Sequence, residues 1–217
     1  MSDRNDLRAA FDALRDDLIQ PDGPRISTMR RLFNYAIVQY KPELEFALRE
    51  QVQRLVTDLA HAGWMVHTIS LYRLFLRRLE ALGPREVERM IELERKLAAV
   101  DPARGLTHLR TKVTELLEGR IGPPGGIAAD VSADIDAFLA ANPDQADRTV
   151  VLLGRAGALY PFFRLGALLG HLDTRTRATP IVLLFPGTRP EGDDTGNRLS
   201  FMGKLDAVHD YRPRIYP

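Results

Sequence analysis

Thr149-Val-Val-Leu-Leu-Gly154, then Arg155-Ala-Gly157-Ala-Leu-Tyr160-Pro161-Phe-Phe-Arg164, and further on Pro180-Ile-Val-Leu-Leu-Phe185-Pro186-Gly187, form the stretch that decides the fold. Two apolar runs without alternation end in glycine-bearing turns, and a helix-like segment lies between them. A strand buried on both faces can place no polar residue on either, so the stretch reads as a βαβ unit of a parallel sheet. Ligands and partners of open α/β sheets gather at the carboxyl ends of the strands, where both turns lie.

The same grammar recurs toward the amino terminus. Residues 32–40 mix aromatic and β-branched side chains (Phe33, Tyr35, Ile37, Val38, Tyr40), which is strand chemistry. Pro42 suits a first helical position, and Glu43 and Glu45 fall where carboxylates complement the helix dipole. Leu44, Leu48, Val52, Leu55, Leu59 and Ala62 then repeat at helical spacing. Gly63 closes that helix and residues 64–69 form a second strand, completing another βαβ unit. Ahead of it, Leu7, Ala10, Phe11, Leu14 and Leu18 mark a helix stopped by Pro21-Asp-Gly-Pro24.

Helices dominate the middle of the chain, over residues 71–82, 85–100 and 106–118, with Gly83-Pro84 as a break. In the second of these, Val87, Met90, Ile91, Leu93 and Leu97 are expected to face inward. Gly122-Pro-Pro-Gly-Gly126 is a loop, and residues 130–141 form a further helix. Residues 189–197 read as a surface loop, and residues 198–217 as adding a short edge strand. The expectation is a single α/β domain over 1–217, with a helical insertion over about 71–118. Its mostly parallel sheet is flanked by helices in a Rossmann-like three-layer arrangement.

The composition sets bounds on function. Lys and Arg total 30 against 29 Asp and Glu, for a net charge of +1. Residues 1–120 carry 20 basic and 18 acidic side chains and residues 121–217 carry 10 and 11, so there is no basic lobe to favour nucleic acid. The absence of cysteine excludes disulfides, thiolate metal sites and a cysteine nucleophile, and fits a cytoplasmic location. No run approaches the ~20 apolar residues of a membrane span, and the polar amino terminus does not resemble a signal peptide.

Candidate chemistry is sparse. Gly154-Arg-Ala-Gly157 sits where backbone N–H groups of a strand-to-helix turn cradle phosphate, with Arg155 and Arg164 as anion ligands. A Walker loop requires Gly-Lys-Ser/Thr at its end, where Ala158 and Leu159 stand, and a dinucleotide fingerprint requires a glycine where Tyr160 stands. The competing reading makes the two glycines a tight structural turn. Phe185-Pro186-Gly187 reads as a rigid strand exit. The five histidines show no metal-ligand spacing, and no Gly-x-Ser-x-Gly elbow is present, so neither metal nor catalytic residues are assigned. Arg30-Arg31 and Arg77-Arg78 read as solvated faces, and Glu191, Asp193 and Asp194 as a solvated loop.

Taken in order, these motifs resemble the BrxB family, a small component of the BREX bacteriophage-defence systems. The resemblance rests on Phe33-Asn-Tyr-Ala-Ile-Val-Gln-Tyr-Lys-Pro42-Glu-Leu-Glu45 and on Ile69-Ser-Leu71-Tyr72 with Leu74 and the later Glu92-Leu-Glu94-Arg-Lys96. It rests further on Gly154-x-x-Gly157-x-x-Tyr160-Pro161-x-x-Arg164, and on Phe185-Pro186-Gly187 with Tyr211-Arg212. The chain departs from the family pattern at Gln39, where an acid is usual, at Arg155-Ala156 within the glycine turn, and at Asp210 before Tyr211. The resemblance implies a non-enzymatic accessory or scaffolding protein without a cofactor. Its partners would be the alkaline-phosphatase-like PglZ protein and the BrxC ATPase, in a complex that includes the PglX methyltransferase. The expected partner- or ligand-binding residues are Gly154, Arg155, Gly157, Tyr160, Arg164, Phe185, Pro186, Gly187, Tyr211 and Arg212. The alternative function is a nucleotide- or phosphate-binding regulator using the Gly154–Gly157 turn.

Overall fold

A computed structural model describes residues 2–21, 23–26, 34–162, 168, 179–188, 200–202 and 214–217. The chain opens with α1 (Ser2–Leu18), whose Leu7, Ala10, Phe11, Leu14 and Leu18 are all buried, as their spacing predicts. Then come β1 (Tyr35–Tyr40), a 3-10 turn over Pro42–Leu44, α2 (Glu45–His61) and β2 (Met65–Ser70). Four helices follow: α3 (Leu71–Leu82), α4 (Pro84–Val100), α5 (Pro102–Leu117) and α6 (Gly126–Ala141). The remaining elements are β3 (Thr149–Gly154), a 3-10 turn over Ala156–Leu159, β4 (Ile181–Thr188), β5 (Ser200–Phe201) and β6 (Arg214–Tyr216). Local chemistry sets the breaks. Ser70 caps α3 by accepting the Arg73 N–H, and Asp101 caps α5 by accepting the Ala103 N–H at 2.9 Å.

The strands run in the order β2-β3-β4-β1-β6, all parallel, with β5 antiparallel to β4. The β1-α2-β2 passage is present and β3 pairs parallel with β4, while the helix expected between those two strands lies outside the described residues; β1 and β2 are not neighbours, because β3 and β4 insert between them. The non-alternating runs have the predicted cause. Ala36, Val38, Val150, Leu152, Val182 and Leu184 pack on one face against Phe11 and Leu14 of α1 and Leu55 and Leu59 of α2. Ile37, Val151, Leu153, Ile181, Leu183 and Phe185 pack on the other against Leu71, Leu74, Val113, Leu117, Val131 and Ile135. The result is three layers. No helix among the described residues is long and apolar enough to cross a membrane.

The structure corrects three sequence expectations. Ile91 and Leu93 do not face inward; each is 42% exposed, and only Met90 of α4 is buried. The reason is that α4 stacks on α5 rather than on the sheet, at a close approach where a Cβ on Gly105 would lie 2.7 Å from Ala98 Cβ. Tyr160 is extended and follows the 3-10 segment Ala156–Leu159, and the helix expected beyond it falls on residues outside the described ones. Phe185-Pro186-Gly187 is not a strand exit but lies within β4, with Pro186 opposite Tyr40 of β1.

The third concerns Arg78, which is no solvated residue but 2% exposed. Its guanidinium makes a two-pronged pair with Asp130 of α6, at 2.5 Å and 3.1 Å, and donates to the carbonyls of Leu116, Pro123 and Pro124. Arg30 and Arg31, and the loop holding Glu191, Asp193 and Asp194, lie outside the described residues. Removing one member of a buried pair strands the other, so Arg78→Met should cost about 3–5 kcal/mol in urea unfolding. Asp130→Asn, which keeps an acceptor in place, should cost less.

Candidate functional site at the carboxyl edge of the sheet

β1 and β3 send the chain to opposite faces of the sheet, and their turns meet across the end of β4. After β1, the chain enters α2 on the face shared with α1. After β3, Ala156 and Leu159 bury into the other face. A divergence of this kind opens a crevice at the strand ends, the usual binding place of an open α/β sheet.

Three side chains bridge it. Tyr40 Oη donates to Glu45 Oε2 at 2.6 Å, and Arg155 Nη1 donates to Glu45 Oε1 at 3.0 Å. Glu45 stands in the first turn of α2, where the helix dipole favours a carboxylate. Arg155 itself occupies a left-handed backbone conformation, φ 62°, whereas neither Gly154 nor Gly157 does. The turn is therefore carried by the arginine and not by its flanking glycines. A Cβ on Gly154 would meet only Leu184 Cδ1 at 3.7 Å; one on Gly157 would lie 3.4 Å from Pro186 Cγ.

The third and fourth sequence motifs do come together here. The Tyr160 ring packs edge-on to Phe201 at 5.9 Å, and Phe185 lies 5.5 Å from the same ring. Phe185, Pro186 and Gly187 are buried, and Tyr160 is partly so. Gly187 has a steric requirement, since a Cβ there would fall 2.3 Å from Ser200 O and 2.5 Å from Phe185 Cε1. β5 can reach β4 only over a glycine. Arg164, Tyr211 and Arg212 lie outside the described residues.

The sequence reading missed Glu45 as the partner of both Tyr40 and Arg155, the latter 110 positions away. Glu45 was visible only as a dipole-compatible residue. It also missed the pair between His67 Nε2 and Asp134 Oδ1 at 2.6 Å, with the imidazole stacked on Phe138 at 4.1 Å. Gln39 donates through Nε2 to Gly187 O at 3.3 Å, a bond that a carboxylate at this position could not donate. Beside β1, a cleft of about 550 Å³ opens between α1 and the strand ends, lined by Asp3, Asp6, Leu7, Tyr40, Lys41 and Tyr216 among others. Among the described residues, no three His, Asp or Glu side chains converge to hold a metal ion.

Chemically, the bridge fills the anion-binding capacity of Arg155 with an internal carboxylate. Inorganic phosphate at millimolar concentration should therefore release no heat in calorimetry; a saturable heat would reinstate the phosphate-binding turn. Burial, then the Glu45 carboxylate, pushes the Tyr40 hydroxyl well above its ordinary range. Tyr216 is raised in the same way, by burial and by its 2.7 Å bond to Asp17. Both groups are protonated in the fold where the unfolded chain ionises near pH 10, so their stabilisation is complete below about pH 10 and is lost as pH rises. Unfolding free energy should fall above that point by up to about 1.4 kcal/mol per pH unit for each tyrosine. Tyr40→Phe and Tyr216→Phe should each flatten the slope in alkaline denaturation series.

No curated protein and no solved structure matches the chain. The family model described as BREX protein BrxB matches residues 67–215, more than half of the chain, from within β2 through the helical middle to β3 and β4 and beyond. On that match the chain belongs to the BrxB family and is a component of a BREX phage-defence system.

Proposed function

We propose that this chain is a non-enzymatic assembly subunit of its BREX complex, binding a PglZ-like protein of the alkaline-phosphatase family. Through that complex it would meet the BrxC ATPase and the PglX methyltransferase. The observation that carries the reading is the set of large apolar side chains left in water on rigid helices. Phe46 on the first turn of α2 is 75% exposed, Val100 at the end of α4 is 76% exposed and Leu106 in α5 is 59% exposed. Apolar side chains held rigidly in solvent offer contact area at little ordering cost, which is what a partner surface supplies.

The carboxyl edge is consistent with this role. Arg155 is engaged by Glu45, and the turn that carries it is followed by one short 3-10 segment. Its functional value would be to hold α2 and Phe46 in a fixed position, since Glu45 precedes Phe46 directly. Arg49 stacks over the Phe46 ring at 5.1 Å, leaving an aromatic and a cation together at the surface, the residue types that dominate protein interfaces.

Purified chain and PglZ-like protein from the same system should associate at micromolar concentration in pulldown and light scattering. Phe46→Ala should weaken the complex without lowering the melting temperature. Lack of association at that concentration would remove the reading.

A further inference from the structure

The parallel sheet ends on two strands that are unlike as edges. β6 pairs with β1 over only three residues, and Pro213 and Pro217 bracket it in sequence. Its Arg214 is held to Asp17 at 2.8 Å and to the Arg25 carbonyl at 3.2 Å. Shortness, proline and charge are the devices that blunt an edge against further pairing. β2 has none of them. It pairs with β3 over all six residues, and Met65-Val-His-Thr-Ile-Ser70 contains no proline, glycine, lysine, arginine or acid. Among the described residues no strand lies on its outer side.

The direction of its main-chain groups follows from one bond. Val151 N–H donates to Pro180 O at 2.9 Å, so Val151 of β3 faces β4. Successive residues of a strand alternate in direction, so Val150 and Leu152 face β2, opposite Val66 and Thr68. In a parallel pair each such residue bonds to the two that flank its opposite number, here Met65, His67 and Ile69. Val66 and Thr68 therefore turn N–H and C=O away from the sheet. Among the described residues no backbone bond from a turn or loop reaches these groups. Thr68 is exposed and Val66 half-buried, and their side chains share the face that α2 covers.

We infer that β2 pairs antiparallel with β2 of a second copy of this chain, about a two-fold axis through His67, joining two sheets into one. The register puts Val66 opposite Thr68 of the second copy, and Thr68 opposite its Val66. Every outward N–H and C=O of these residues is then answered, by two pairs that each exchange two hydrogen bonds. β-Branched side chains meet across the pair on the α2 face. No like charges are brought together, because the strand carries no Lys, Arg, Asp or Glu. His67 stays with its own Asp134 at 2.6 Å and stacked on its own Phe138. The edge is thus complementary to itself, the condition for a two-fold contact, and pairing consumes it. With the β6 edge blunted, the assembly closes at two copies. The inference does not rest on the assembly reading above.

Light scattering of the full chain at tens of micromolar should give twice the 24.4 kDa of one chain. Thr68→Lys puts an ammonium on an exposed site, and the two copies' lysines would lie diagonally across the pair. Its circular dichroism should match the wild type, and its dimer dissociation constant should rise at least tenfold. Arg104→Glu, an exposed reversal on α5, is the control and should dimerise as the wild type does. The chain contains no cysteine, so a V66C chain mixed with a T68C chain should form a disulfide-linked heterodimer on oxidation. Dimers unaffected by Thr68→Lys, or a mixture that forms no cross-link, would place the contact elsewhere and overturn the assignment. A wild type that stays monomeric also overturns it. Association with the PglZ-like protein that is lost on Thr68→Lys would then give the edge to a strand of that partner.

Discussion

The buried guanidinium of Arg78 is the interaction on which the helical layer depends. The loop between α5 and α6 contains two consecutive prolines, which accept hydrogen bonds but have no N–H to donate. The end of α5 adds carbonyls that have no partner within the helix. Arg78 answers Leu116, Pro123 and Pro124 together and closes on Asp130 of α6. One planar, permanently charged group thus ties α3, the end of α5, the loop and α6 to a common point. A lysine there could not span the same set, because it lacks the fork. The cost of desolvating a cation is offset by saturating it, and the gain is a fixed arrangement of three helices over the sheet.

At the carboxyl edge of the sheet, a second cation is used differently. Arg155 is half in solvent and, among the described residues, bonds to Glu45 alone, yet that pair crosses the point where the chain diverges to two faces. Arg78 organises by saturation, whereas Arg155 bridges two loops that the sheet does not otherwise join. Tyr40 completes the bridge from below, its hydroxyl buried and donating to the same carboxylate. The glycine-bearing turn after β3 is therefore shaped as much by a residue in the first turn of α2 as by its own sequence.

Much of this was legible in the sequence, and the reasons are local. Val150 to Leu153 and Ile181 to Leu184 are apolar at every position, and both strands are covered on both faces. Pro42, Gly83-Pro84 and Asp101 act at the ends where helices start or stop. What could not be read was long-range pairing. Nothing in an Arg-Arg dipeptide distinguishes the exposed Arg77 from the buried Arg78, because the difference is made by Asp130, fifty-two positions away. Strand order was equally hidden: the insertion of β3 and β4 between β1 and β2 is decided by how the layers close, not by any residue in the connecting helix. Gly154 and Gly157 misled for a related reason. The left-handed residue between them is Arg155, held there by a partner that no local pattern reveals.

The one failure of periodicity is the most informative part of the comparison. α4 carries Val87, Met90, Ile91, Leu93 and Leu97, enough apolar positions to predict a core helix. Among the described residues it packs along most of its length on one helix, α5, and a single contact face can bury only one narrow stripe. Met90 takes that stripe, while Ile91 and Leu93 fall on either side of it and stay in water. A sequence that is more apolar than its own fold requires is a local conflict, and such conflicts concentrate where function has a claim on the surface. Stability would be served as well by a polar residue at Leu93 and at Val100, so the pattern is better explained by a partner than by folding.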